Sequence, residues 1–466
     1  MRLTLRSLLV LGMGIALVAP VAPAVAEQAA AGPRWVATQD AFGRSDSARA
    51  VAVSGQTGDV YVLGSMERAT AGRFVSLTAY NRDGSRLWAR NYVTPQRETA
   101  FPVDMVVSPD DGTVFAVLSV DDPDGFLADT VLVAYDRRGR LLWERRFDFG
   151  ADTNVRPVEM VLDPGRGQLL LLSDGSPFGG EDHFFLTSAF DLSGTPRWSA
   201  RYGGRGEQDN RPADLALNPS TGAVYVTGSA GTGLGGAATV AYDPAGRRLW
   251  AAVEPAGRLE DVSSVAVNSR TGAIYVAGHT QNFPDRSFFA TVAYDSTGAR
   301  LWSRQEPDRL NELGTESVVA VDEVSGEVVV GSTPATSTAG RAVALLTRAY
   351  SASGRPLWRT TLDRPIGQFG PDIPLELAFD PVTRTTQVAV NFVDEANGDL
   401  IELVSYGLDG ELLRDEWYIT GPAAFPDDLS DLALDPRTGD VYLAGTVTTD
   451  DDRDGLVLAY PPPPAT

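Results

Sequence analysis

Between Val262 and Arg304 the chain alternates apolar and polar positions in four short runs separated by turn-forming residues. Val262 to Val267 reads V-S-S-V-A-V, Asn268 to Gly272 is a turn, and Ala273 to Gly278 is a second apolar run. A longer stretch through Pro284 follows, then Phe288 to Tyr294, the tight turn Asp295-Ser296-Thr297-Gly298, and Arg300 to Arg304. Alternation at a period of two, with β-branched and aromatic residues inside the runs and Gly, Asn, Asp and Pro between them, predicts four antiparallel strands. Helical periodicity is not persuasive anywhere after the first 26 residues, so the fold class is all-β.

The same unit recurs. One phrase appears as AYNRDGSRLW ending at Trp88, AYDRRGRLLW at Trp143, AFDLSGTPRW at Trp198, AYDPAGRRLW at Trp250, AYDSTGARLW at Trp302 and AYSASGRPLW at Trp358, with a stretched copy, SYGLDGELLRDEW, at Trp417. With Trp35 these are all eight Trp of the chain, spaced by 53, 55, 55, 52, 52, 56 and 59 residues. The first hairpin recurs too, as VAVSGQTGDVYVLG from Val51, LALNPSTGAVYVTG from Leu215 and LALDPRTGDVYLAG from Leu432. A period of this length marks a propeller or solenoid. The last unit stops at Tyr460, before a Pro461–Pro464 run, without its Trp strand, and an orphan Trp strand, Arg34-Trp35-Val36-Ala37, stands at the other end. Pairing the two closes the ring and removes the exposed edges. The expectation is one β-propeller of eight four-stranded antiparallel blades over residues 27–460, with a Pro-rich tail at 461–466. Seven blades plus an unpaired terminal segment is the alternative.

Units such as VAVNSRTGAIYVAGHT and FFATVAYDSTGARLWS resemble the bacterial β-propeller repeats of the SBBP type. The Ala-Tyr-Asp-x-x-Gly-x-x-Leu-Trp phrase is also similar to the tryptophan-docking motif of PQQ-like propellers, a class that holds both quinoprotein dehydrogenases and non-catalytic scaffolds. The likeness spans essentially the whole chain after residue 26 and implies a fold more than an activity. The one-per-blade placement makes the Trp set blade-to-blade packing, and turn glycines such as Gly246 and Gly298 supply a positive φ.

Composition narrows the function. The chain of 466 residues carries 39 Lys+Arg against 61 Asp+Glu, a net charge of −22, which argues against nucleic-acid or anionic-membrane partners. With no Cys, thiol nucleophiles, disulfides, thiolate zinc sites and iron–sulfur clusters are excluded. Residues 1–26 read as a signal peptide: Arg2 and Arg6, an apolar run from Leu8 to Ala19, then Ala24-Val25-Ala26. No later stretch reaches the roughly 18 apolar residues of a membrane span. The expected product is therefore secreted, extracellular or periplasmic.

Catalytic candidates are sparse. The only two His, His183 and His279, lie in the third and fifth units near the loop between second and third strands, and both read as hydrogen-bonded surface residues. No G-x-S-x-G elbow or H-E-x-x-H pair occurs, and no catalytic residue is assigned. In an antiparallel blade the tight first–second and third–fourth turns share one face. The second–third loops and inter-blade links share the other, and there they vary and are often acidic; binding is expected on that long-loop face. The metal candidate is Asp450-x-Asp452-x-Asp454-Gly455, three alternating carboxylates suited to Ca²⁺. It resembles the Ca²⁺ hairpin loops of integrin-type propellers, although Leu458 stands at the ninth position where those loops carry an acid, which implies weak affinity. Three readings follow: an exported scaffold binding a protein or glycan, a channel-centred enzyme (quinoprotein-like oxidoreductase, lyase or hydrolase), or a purely structural envelope protein.

Overall fold

Each alternating run forms a strand of the computed structural model, and within each sheet the strands pair antiparallel with their sequence neighbours. The structure describes residues 32–40, 45–68, 72–94, 98–121, 128–147, 153–177, 180, 182–203, 209–231, 235–255, 257–259, 261–282, 286–307, 317–333, 342–365, 375–394, 398–421, 429–449 and 452–464. Residues 1–26, the expected signal peptide, lie outside them. Among the described residues there is no helix, and so none long and apolar enough to cross a membrane.

Blades 1 to 7 occupy residues 47–92, 99–147, 153–202, 212–254, 261–307, 317–365 and 375–421, four strands each. In blade 5 the strands are Asp261–Val267, Ile274–Asn282, Arg286–Tyr294 and Arg300–Pro307, longer at the loop ends than the apolar runs alone indicate. The excess is polar: Gln281–Asn282 continue the ladder with Ser287 and Arg286, and backbone pairing does not need an apolar side chain.

Blade 8 takes three strands from residues 429–460 and its outermost from Trp35–Gln39, so the ring of eight closes on the N-terminal strand. Trp35 pairs with Ala459 and Gln39 with Gly455. The inner strands touch their neighbours all the way round, blade 8 back to blade 1. Between adjacent blades lies the core: Val224, Val226, Val240 and Tyr242 of blade 4, for example, pack with Leu170, Leu172 and Phe185 of blade 3.

The repeated Trp is the blade-to-blade lock. The indole Nε1 of Trp35, Trp88, Trp143, Trp198, Trp250, Trp302 and Trp358 donates to the carbonyl of Arg82, Arg137, Leu192, Pro244, Ser296, Ala352 and Leu408, respectively, in the outer turn of the next blade, at 2.8–3.0 Å. The turn Gly lies on the ring. At Gly298 (φ +84°) an added Cβ would stand 2.6 Å from Trp250 Cδ2, so both the backbone conformation and the indole face require glycine. The turn Asp holds the other side: Asp295 Oδ1 accepts the N–H of Thr297 and of Ala299. Two repeated Tyr flank the indoles of Trp35, Trp250 and Trp302, as Tyr225 and Tyr294 flank Trp250 with ring centroids 5.9 and 6.1 Å away. Trp417 breaks the series. Blade 8 has no third-to-outer turn to receive it, so it is 55% exposed and its Nε1 reaches Asp415 of its own strand.

Candidate functional site

The two faces of the ring differ because their connections differ. Seven indole locks occupy the tight-turn face. A hollow of about 850 Å³ on that face is walled by blade-7 turns and Pro462–Pro464, where blade 8 lacks its turn; of its polar lining, Arg384 is paired with Asp322 of blade 6. The opposite, long-loop face leads to the central channel.

Bulges in the inner strands shape that channel. In blades 1, 2, 3, 4, 5 and 8 one extra residue interrupts the register: Arg49, Val103, Val158, Ala213, Ser263 and Ser430. A bulge re-aims the side chains around it. The next residue, Ala50, Asp104, Glu159, Asp214, Ser264 or Asp431, lines a cavity of about 300 Å³ together with Val318 and Glu376 of blades 6 and 7. The channel thus gathers five carboxyl groups and one guanidinium, Arg49. Many of these acids reach across to the next blade. Asp104 accepts the N–H of Met160 at 2.8 Å, Glu159 that of Leu215 at 2.7 Å, Asp214 that of Val265 at 2.6 Å and Asp431 that of Val51 at 2.7 Å, while Ser264 Oγ takes that of Val319 at 3.3 Å. At the bulges of blades 1, 3, 4 and 5 the N–H of Val51, Met160, Leu215 and Val265 is thus taken by a carboxyl group of the preceding blade, a bond that ties two blades together.

Crowded by protein although partly open to the channel, Asp104, Glu159 and Asp431 hold their protons tightly. Burial pushes Asp104 up to about 6 against the pull of the Met160 and Met105 N–H groups and of Arg49. Asp431 rises to about 7 through burial and the charge of Asp104, opposed by the N–H groups of Val51 and Leu432. Glu159 is raised well above the carboxyl range by burial and by Asp214, whose carboxylate accepts its proton.

The channel mouth has a different lining. Between blades 8 and 1 on the long-loop face lies a cavity of about 490 Å³, bordered by Arg49, Arg73, Arg453 and serine and threonine hydroxyls. The repeat alone does not mark it, because Arg73 and Arg453 stand outside the repeated inner-strand positions and its residues come from strands far apart in the chain.

The other sequence candidates sit elsewhere. His183 Nδ1 meets Asp174 at 2.8 Å and His279 Nε2 meets Asp261 at 3.3 Å, each within its own blade, so neither joins the other in a shared site. Asp450 lies outside the described residues. Asp452 and Asp454 come together with Asp40, at the end of the closing strand, with ligand oxygens of all three within 4.8 Å of one another. Reading the loop alone could not supply Asp40, which is brought there by ring closure from more than 400 residues away.

No family model matches the chain, and no curated protein is similar to it in sequence. Solved structures are similar in shape. Sqt1 of Chaetomium thermophilum, bound to the N-terminus of ribosomal protein L10, is 12% identical over 91% of this chain and 100% of that one, with a TM-score of 0.54. The periplasmic gluconolactonase PpgL of Pseudomonas aeruginosa is 15% identical over 80% of this chain and 96% of that one, at 0.44. The WD40 domain of SCAP from fission yeast is 7% identical over 91% and 98%, at 0.43. At these identities the likeness is one of fold: the chain is a β-propeller.

Proposed function

We propose that this chain is an exported binding propeller of the SBBP-like kind whose long-loop face takes a protein or glycan partner. The observation that carries this reading is the polar cavity of about 490 Å³ opening on that face, while the opposite face is tied up in indole locks. Propellers of similar fold hold proteins, as Sqt1 holds the L10 N-terminus. The competing reading is an enzyme working in the channel, and it draws on the high proton affinity of Asp104, Glu159 and Asp431. Each of these already accepts a neighbouring blade's N–H, which is a structural task.

The test is capture from the producing organism's surface fraction and from a glycan panel. A partner retained by the unaltered protein and by Arg270→Glu on the tight-turn face, but lost on charge reversal at Arg73 or Asp182 on the loop face, supports the reading. Capture that ignores the loop-face changes overturns it. So does oxidation of alcohols or sugars by protein reconstituted with PQQ and calcium, if substitution of the channel acids abolishes it.

A second reading concerns calcium. The closing strand adds Asp40 to Asp452 and Asp454, giving three hard oxygen donors where Ca²⁺ takes six to eight. The expected affinity is in the millimolar range of extracellular modules. A thermal melt with about 10 mM Ca²⁺ should exceed one with chelator by roughly 1 °C, since stabilisation follows RT ln(1 + [L]/Kd). The difference should vanish in Asp452→Ala with Asp454→Ala. No Ca²⁺-dependent shift, or one that survives both substitutions, removes the site.

A further inference from the structure

In a chain with a net charge of −22, the cavity at the channel mouth reverses the local sign. Arg49, Arg73 and Arg453 converge there from blades 1 and 8, and among the described residues neither Arg49 nor Arg73, both exposed, has a carboxylate within ion-pair distance. Arg453 is held in place by Thr446, whose Oγ1 accepts from its Nη2 at 3.4 Å. Of the acids at the rim, Asp46 is engaged within the fold, accepting the N–H of Glu67 at 2.8 Å. Planar guanidinium groups match a carboxylate with paired N–H donors, so the site is built for an acid group.

The rest of the cavity limits what bears that group. Ser45, Ser47 and Thr446 offer hydroxyls, Arg49 and Glu376 border both the mouth and the channel, and Asp431 presents a further acceptor in the channel. Carboxyl groups hydrogen-bond to hydroxyls whether protonated or not, and offer a second acid group no cation to pair with. A ligand with one acid group at the arginines and uncharged hydroxyls toward the channel satisfies both halves. A volume of about 490 Å³ falls in the size range of small-ligand sites.

We infer that the mouth cavity binds the carboxylate of a uronate-type sugar, through Arg49, Arg73 and Arg453, with the sugar hydroxyls directed to the hydroxyl and carboxyl groups beneath. This rests on the binding role of the long-loop face and names its ligand class. A free sugar acid and the end of an acidic glycan share this chemistry.

Titration calorimetry on the full propeller at low salt tests it, with glucuronate, a uronate oligosaccharide, glucose, acetate and inorganic phosphate as probes. Glucuronate is expected to bind at least tenfold more tightly than glucose, acetate or phosphate, and Arg73→Gln to weaken it by about tenfold with an unchanged melting temperature. Arg49→Gln should do the same. Tighter binding of the oligosaccharide identifies a glycan as the source, and equal binding a free sugar acid. Glucose binding as well as glucuronate, acetate or phosphate matching it, or no uronate binding by folded protein overturns the proposal. If uronates fail while capture of another partner still depends on Arg73 or Asp182, only this ligand assignment falls; if capture is also indifferent to those residues, the binding role falls with it.

Discussion

Deleting residues 34–37 should lower the melting temperature of the propeller by roughly 5 °C or more. The segment supplies the outer ladder of blade 8, where Trp35 to Ala37 pair with Ala459 to Val457. Its indole sits between Tyr80 and Tyr442 at 5.8 and 6.0 Å and donates to the Arg82 carbonyl at 2.8 Å. Arg34 lies 3.1 Å from Asp440, a fully buried carboxylate that would be left with Arg82 alone. Losing the aromatic packing costs about 3 kcal/mol, and each ladder bond about 1 kcal/mol, so the total exceeds about 5 kcal/mol. With an unfolding entropy of about 2.1 cal/mol/K per residue, a propeller of this size loses about 1 °C per kcal/mol. Thermal unfolding followed by circular dichroism measures this directly, and an unchanged melting temperature would show that the ring does not depend on its N-terminal strand.

The same reasoning singles out one Trp as dispensable. Trp417 carries the repeat's outer-strand residue but meets no receiving turn, and it is more than half exposed. Trp417→Ala should therefore change stability by no more than about 0.5 kcal/mol, as surface substitutions do, whereas Trp35→Ala should cost about 3 kcal/mol. Position in the repeat predicts equal effects for the two; the docking geometry predicts unequal ones.

The fold was legible because each blade repeats the same short-range rules. Alternation located the strands, the Gly of Asp295-Ser296-Thr297-Gly298 located the turn, and the missing last Trp strand identified its replacement around Trp35. The partners of several Trp were written in the sequence as well, in the Tyr of VYV and of AYD, but a pattern shows that a residue recurs and not what it touches. The bulges were hidden for a different reason: Arg49, Val103 and Ser430 have no common chemistry, and the register shift is carried by the backbone.

Sites that depend on ring closure were not legible. Asp40 approaches Asp452 and Asp454 only because the two ends of the chain share a blade, and Arg49, Arg73 and Arg453 meet for the same reason. The channel acids lay in plain view as Asp104, Glu159, Asp214, Glu376 and Asp431, one among many carboxylates at each point of the chain. What would have found them is their place in the repeat: they occupy the same inner-strand position in five of the eight blades.

Those acids give the propeller an unusual dependence on pH. A carboxyl group whose proton affinity is raised by folding binds more protons in the native than in the unfolded chain, so its contribution is complete at low pH and is lost as pH rises through its native value. Each loss begins near pH 4, the unfolded value, and is complete by about pH 6 for Asp104, about 7 for Asp431 and higher still for Glu159. Asp104 alone, displaced by about two units, contributes about 3 kcal/mol below pH 4 and about half of that at pH 5. The opposite group is Asp136, Asp191, Asp243 and Asp295 in the outer turns, held low chiefly by hydrogen bonds to their carboxylates; their contribution is present above about pH 4 and disappears below it. Together they put maximum stability near pH 4, with a melting temperature several degrees above that at pH 8. General repulsion within an acidic protein has the same sign, and substitution separates the two causes. Asp431→Asn, which keeps an acceptor for the Val51 N–H but cannot ionise, should raise the melting temperature at pH 8 and flatten the profile. Asp110→Asn, exposed on a turn, should leave the slope nearly unchanged. A melting temperature that is level or rising from pH 5 to 8 would mean that the channel acids are ionised without cost, and the blades would then be tied by carboxylates and not by shared protons.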